Sequence, residues 1–210
     1  MKLMLFLIVL ITLSSCKLNP NKKTDPDYCE FVKPPFIVLR DLMENPINIE
    51  WYLENYPPTN KKLVVDPDQN SLFAVSDSIG QLYTYSVFEN MKEKLEEPVE
   101  DKELNTNFLI TVLRHNDSTK NEGIKAIQCT YANTTLGDLN VFGMTKEELE
   151  TKFGKAKFNL ENQLLFVLKN NVISIHFTNQ KADWYKFARL NPTLNLEEEI
   201  PPYLLVPIVR

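Results

Sequence analysis

Glycine and histidine are scarce in this chain, with 5 and 2 among 210 residues. So few glycines leave little material for phosphate-cradling loops, and two histidines leave little for a histidine metal cage or a histidine-driven triad. Three cysteines are too few for a disulfide-dense scaffold. Positive charge is in deficit, 23 Lys and Arg against 28 Asp and Glu, which argues against a nucleic-acid partner and against a basic membrane-docking face. After residue 13 no uncharged apolar run approaches the roughly 20 residues needed to span a bilayer. The patterns H-E-x-x-H, C-x-x-C, G-x-S-x-G and the P-loop do not occur, so the sequence nominates no catalytic residue, no metal ligand and no cofactor. What remains is ordinary globular composition, 43% hydrophobic and 24% charged.

The strongest signal is at the start. Met1-Lys2 precedes a greasy run, Leu3 to Leu13, and then Ser14-Ser15-Cys16. A basic start, a short apolar stretch and small residues make a secretory signal peptide, residues 1–15, with cleavage between Ser15 and Cys16. Leu13-Ser14-Ser15-Cys16 resembles the lipobox of bacterial lipoproteins at all four positions. The resemblance implies that Cys16 is acylated and becomes the first mature residue. It implies a cell-envelope protein held to the membrane by its N-terminal lipid. Lys17 after the cysteine favours, by the same analogy, the outer membrane, on its periplasmic or surface leaflet. Several acyl chains are needed for a firm anchor, because one chain binds only marginally. Residues 16–27 are polar, with Pro20 and Pro26, and read as a flexible tether.

Export also bears on the other cysteines. Cys29 and Cys129 could pair in an oxidising compartment, closing a loop of near 100 residues worth about 4.7 kcal/mol by chain entropy. The alternative is two separate buried thiols.

The body reads as α+β: short helices packed on antiparallel β-sheet, with two tandem helix-plus-meander halves as one organisation the pattern allows. Thr145 and Glu148 form a capping box, Met144 and Leu149 occupy the staple positions, and Gly154 suits a left-handed stop. These predict a helix near 146–153. Alternating runs follow at Leu164–Leu168 and Ile173–Phe177 around an Asn170-Asn171 turn, then at Trp184–Leu190 beyond a turn at Asn179–Asp183. An offset of 97 places Asn48 on Thr145, Tyr52 on Leu149, Tyr56 on Phe153 and Pro57 on Gly154, so a second capped helix is expected after Asn48. Strands are expected at Lys62–Asp66, Ser71–Ser76, Gln81–Val87, Asn107–Leu113 and Ile124–Thr134.

Phe88 to Glu103 holds seven acids and three lysines around a thin apolar stripe, and reads as a surface helix and connector. It suggests a first half at 28–103 and a second at 104–190. The proline-rich stretch 191–210 is expected to be extended rather than helical.

The run Gly143-Met144-Thr145 to Phe153-Gly154 resembles the helix signature of SmpA/OmlA-type outer-membrane assembly lipoproteins and of the related β-lactamase inhibitor protein fold. The likeness covers about 12 of 210 residues, and Phe153 and Ala156 replace the usual aliphatic residue and proline. It implies short helices against an antiparallel sheet, and carries over no catalytic residue.

His115 lies among turn residues and reads as part of a hairpin loop. His176 alternates with Ser174 and Thr178, and reads as a solvated or partner-facing side chain. Tyr83, Tyr85, Trp184, Tyr185 and Phe187 suit either core or interface. The function these features favour is non-catalytic binding of another envelope protein. An inhibitor or immunity lipoprotein acting on a secreted enzyme is one alternative, and an envelope hydrolase with an unrecognised site is another.

Overall fold

The computed structural model describes residues 33–55, 60–64, 66–87, 108–117, 123–130 and 134–206. The chain is α+β. Its elements are helices α1 (Pro35–Glu44), α2 (Ile49–Asn55), α3 (Pro67–Leu72), α4 (Lys146–Phe153) and α5 (Pro202–Leu205), and strands β1 (Asn60–Leu63), β2 (Gly80–Val87), β3 (Phe108–His115), β4 (Gly123–Cys129), β5 (Phe158–Leu160), β6 (Gln163–Leu168), β7 (Asn171–Thr178) and β8 (Lys181–Arg189). A 3₁₀ segment, Thr134–Leu139, kinks at Gly137, where φ is +56°.

All eight strands form one antiparallel sheet in the order β1-β2-β3-β4-β8-β7-β6-β5. It is two four-strand meanders joined through their last strands. One cross-strand row shows the relation directly: Tyr85, Ile110, Ile127, Phe187, Ile173 and Phe166 lie opposite one another across β2, β3, β4, β8, β7 and β6. All six are buried in the same cluster. The row reads the same way outward from its centre, so Ile127 and Phe187 hold corresponding places and face each other at the seam.

The helices repeat in the same sense. Asn48 Oδ1 accepts from the Trp51 amide at 3.1 Å, and Thr145 Oγ1 accepts from the Glu148 amide at 3.2 Å. Tyr52 and Leu149 both sink into the helix-covered face. The separation of 97 at the helices shrinks to 60 at Ile127 and Phe187. The first unit spends the difference on α3, inserted between β1 and β2, and on the long connection between β2 and β3. The strand order therefore places the junction of the two units after β4 and not at 103/104; β3 and β4 continue the first meander.

Each face of the sheet carries its own core. Helices α1, α2 and α4 cover one face, over Ile110, Ile127, Phe166, Ile173 and Tyr185. The other face buries Leu82, Leu113, Leu165, Val172 and Ala188 beneath Phe73, which caps the C-terminus of α3, and beneath Leu204 of α5. Helix α1 has no counterpart in the expectations above. Pro35 at its first turn presets the helical φ. Leu39, Leu42 and Met43 recur at helical spacing on its buried side. Its last carbonyls are satisfied from the sheet: Asn171 Nδ2 donates to Met43 O, and Arg189 donates to Glu44 O.

Several local expectations are corrected. Ser71–Ser76 is not a strand; Asp66 accepts from the Asp68 amide and Pro67 opens a helix that runs to Leu72. The β6–β7 turn is Lys169-Asn170, one residue earlier than expected, with Lys169 at φ +56° and Asn171 already paired with Leu168. The tail is not wholly extended, because Pro202 starts the four-residue helix α5. Strand β4 ends at Cys129, and Thr134 belongs to the 3₁₀ segment. Tyr56, Pro57, the acidic stretch 88–103 and the tether 16–27 lie outside the described residues.

The capping box forms as expected: the Thr145 amide donates to Glu148 Oε2 at 2.7 Å, and the Glu148 amide donates to Thr145 Oγ1. Those bonds hold the Glu148 carboxyl below its ordinary range. Thr145→Ala is expected to cost about 1 kcal/mol in urea unfolding, the usual value of a lost N-cap.

Candidate functional site

The side chains that break the apolar pattern lie together on the sheet face opposite α1, α2 and α4. Strand alternation puts Trp184, Lys186 and Ala188 of β8 on that face and sends Tyr185 and Phe187 to the other. On β7 the same rule presents Ser174 and His176, and on β6 it presents Gln163 and Leu165. Register completes the assembly: Ser174 lies opposite Lys186, and Gln163 opposite His176, itself opposite Trp184.

Gln163, Ser174 and Lys186 are each buried, the lysine at 1% exposure. They are satisfied by the main chain of the C-terminal segment. Gln163 Nε2 donates to Ser174 Oγ at 2.9 Å and to Leu204 O at 2.8 Å. Ser174 Oγ donates to the same Leu204 carbonyl at 2.8 Å. Lys186 Nζ donates to Tyr203 O and Val206 O, and lies 4.3 Å from the centre of the Tyr203 ring. Among the described residues no carboxylate forms an ion pair with it. Burial pushes the Lys186 ammonium down to about 8 and raises the Tyr203 hydroxyl above its ordinary value.

At the end of this lane, His176 Nδ1 stands 2.7 Å from Asp183 Oδ1, and Thr178 Oγ1 donates to Asp183 Oδ2 at 2.7 Å. The imidazole stacks on Trp184, with centroids 5.1 Å apart and planes 6° from parallel. Burial pushes the Asp183 carboxyl up, but the bonds from Thr178 and His176 outweigh it and hold the group below its usual range. The arrangement fixes the histidine ring. Ser174 and Thr178 each lie two residues from His176; Ser174 gives its proton to Leu204 O and Thr178 gives its own to Asp183, so neither is wired to His176 as a nucleophile.

A second feature lies by α2. A surface hollow of about 320 Å³ is bordered by Pro46, Ile47, Trp51, Tyr52 and Leu136, with Trp51 39% exposed at its margin.

The expected positions are scattered relative to these features. Cys16 and Cys29 lie outside the described residues, so neither lipidation nor the disulfide is described. Cys129 is buried at the end of β4. His115 ends β3, opposite Gly80. Tyr85, Trp184, Tyr185 and Phe187 are buried, and Tyr83 is partly so. Among the described residues no group of three His, Cys, Asp or Glu is placed to hold a metal ion, and no helix is long and apolar enough to cross a membrane. Gln163, Ser174 and Lys186 were not singled out as a polar cluster from sequence. The available signal was a lysine inside the aromatic run Trp184-Tyr185-Lys186-Phe187.

No family model matches this chain, and neither a curated protein nor a solved structure shows significant similarity to it.

Proposed function

We propose that the chain is a lipid-anchored protein of the bacterial cell envelope that works by binding another protein. The observation that carries this reading is the leader: Leu3 to Leu13 followed by Leu13-Ser14-Ser15-Cys16, with no later apolar run of spanning length. The acyl chains on Cys16 would hold the body at the membrane, and the sheet and helices would present its binding surfaces. Trp51 beside the apolar hollow of Pro46 and Ile47 supports a protein partner, because exposed tryptophan at a concave apolar patch is a common interface anchor.

Replacing Cys16 by Ser tests the anchor. The unaltered protein is expected to sediment with outer membranes and to incorporate labelled palmitate. The Cys16→Ser protein is expected to carry no label and to leave the membrane fraction. Equal sedimentation of both proteins with no acyl label on either would overturn the reading. A photo-cross-linking residue at position 51 is then expected to give a discrete envelope adduct in cells.

A further inference from the structure

We infer that the lane formed by Gln163, Ser174 and Lys186 is a binding site for the main-chain carbonyls of an apolar peptide that makes one short helical turn, filled here by the chain's own Tyr203–Val206 and open to a partner's segment of like chemistry when this strap lifts. The inference rests on the binding reading above and gives it a surface.

The lane reads a backbone. Three side chains from three adjacent strands make four bonds to the carbonyls of Tyr203, Leu204 and Val206. Two side-chain seats add selectivity: Leu204 is fully buried, and the Tyr203 ring meets Phe73 edge-on at 5.5 Å. A segment held this way needs carbonyls at the right spacing, a buried aliphatic side chain and an aromatic neighbour.

The strap is attached as a ligand would be. It adds no strand to the ladder. Its helix α5 spans four residues and has no side-chain cap. Val206 is already extended and 57% exposed. The approach from Asn191 to Glu199 closes local turns, with Asn191 Oδ1 accepting from Thr193 and Asn195 Oδ1 from Glu197. Among the described residues its main-chain hydrogen bond to the body is the Asn191 amide on Leu72 O, at the near end of the segment, and Lys157 pairs with Glu197 at the surface.

The chemistry of Lys186 also favours exchange. An ammonium buried against carbonyls and a ring face, with no carboxylate beside it among the described residues, regains water when the strap leaves. Part of what the strap gains by burying Leu204 is thereby offset.

Hydrogen exchange on the full chain tests the lifting step. Amides at Tyr203–Val206 are expected to exchange about 100-fold faster than those of Ile173–Ile175 and Tyr185–Phe187, through an opening that leaves β7 and β8 protected. Exchange of the strap only with global unfolding would overturn the inference. A fluorescent peptide with the sequence of Ile200–Val206 then probes the lane. Saturable binding to the full-length protein is expected, weakened about tenfold by Lys186→Met and strengthened about tenfold by Leu204→Asp, which loosens the resident strap. No saturable binding, or weakening by Leu204→Asp in a folded protein, would overturn it. A concentration-dependent dimer that trades straps would assign the lane to a second copy of this chain and overturn the separate partner. These readouts do not depend on the acyl chains, so their failure leaves the Cys16 anchor standing, and failure of the anchor leaves them interpretable.

Discussion

Phe153→Ala is expected to lower the free energy of unfolding by about 3–5 kcal/mol, the range for truncating a fully buried aromatic. Phe153 is 1% exposed and closes α4 one residue before the left-handed Gly154, at φ +87°. Its ring meets Phe166 of β6 edge-on, with centroids 5.5 Å apart. The side chain therefore couples the best-capped helix to the cross-strand row that runs through the sheet. Removing it leaves a cavity that α4 cannot close, because the capping box fixes one end of the helix and Gly154 the other. Urea titration should show a lower midpoint with an unchanged slope. A loss under about 1 kcal/mol would mean that α4 is not fastened to the sheet through this ring.

Stability is expected to rise with pH above about 8, by of the order of 3 kcal/mol by pH 10, through Lys186. Its ammonium is held at about 8 in the folded chain, against 10.5 for an ordinary lysine. Between those values the unfolded chain binds the proton and the folded chain does not. Stability therefore increases with pH across that window and is flat below it. Lys125 and Arg189, also lowered by burial, act in the same direction. Tyr203 acts the other way above 10.0, where the unfolded chain loses a proton that the buried hydroxyl keeps. The curve should thus turn over near pH 10. In Lys186→Met the rise between 8 and 10 should shrink to the part owed to Lys125. An identical rise in that variant would show that Lys186 keeps its charge when buried.

The parts of the fold legible in the sequence are those with local causes. Thr145, Glu148 and Gly154 specify α4 because a cap and a stop act within one turn of chain. The meander β6–β8 is legible because its turns take two residues and alternation holds along β6 and most of β7 and β8, broken at one register shift beside Asp183, and Asn179 and Gln180, at φ +51° and +64°, supply the left-handed turn between β7 and β8. Strands β3 and β4 are legible as strands, but their partners are not. The charge run at 88–103 looks like a boundary, whereas the pairing of Tyr85 with Ile110 carries the sheet across it. Helix α3 was hidden by the apolar Leu72-Phe73 pair, which mimics a buried strand; the opposing signal is Asp66 capping a helix that Pro67 opens. Helix α1 carries a proline start and a 39, 42, 43 stripe, yet its docking depends on Asn171 and Arg189, more than 120 residues on. The polar lane was the least legible feature. Its members come from three strands, and the groups that satisfy them are carbonyls, which every residue possesses.

The seam between β4 and β8 sets an order of assembly. A chain made from its N-terminus completes β4 while β8, whose Phe187 lies opposite Ile127, is still some fifty residues away. Until then Ala126 to Cys129 present an open ladder rim, available to any other strand. The nascent first meander is therefore the aggregation-prone species, and a holding factor would act most usefully in the interval before residue 189 emerges.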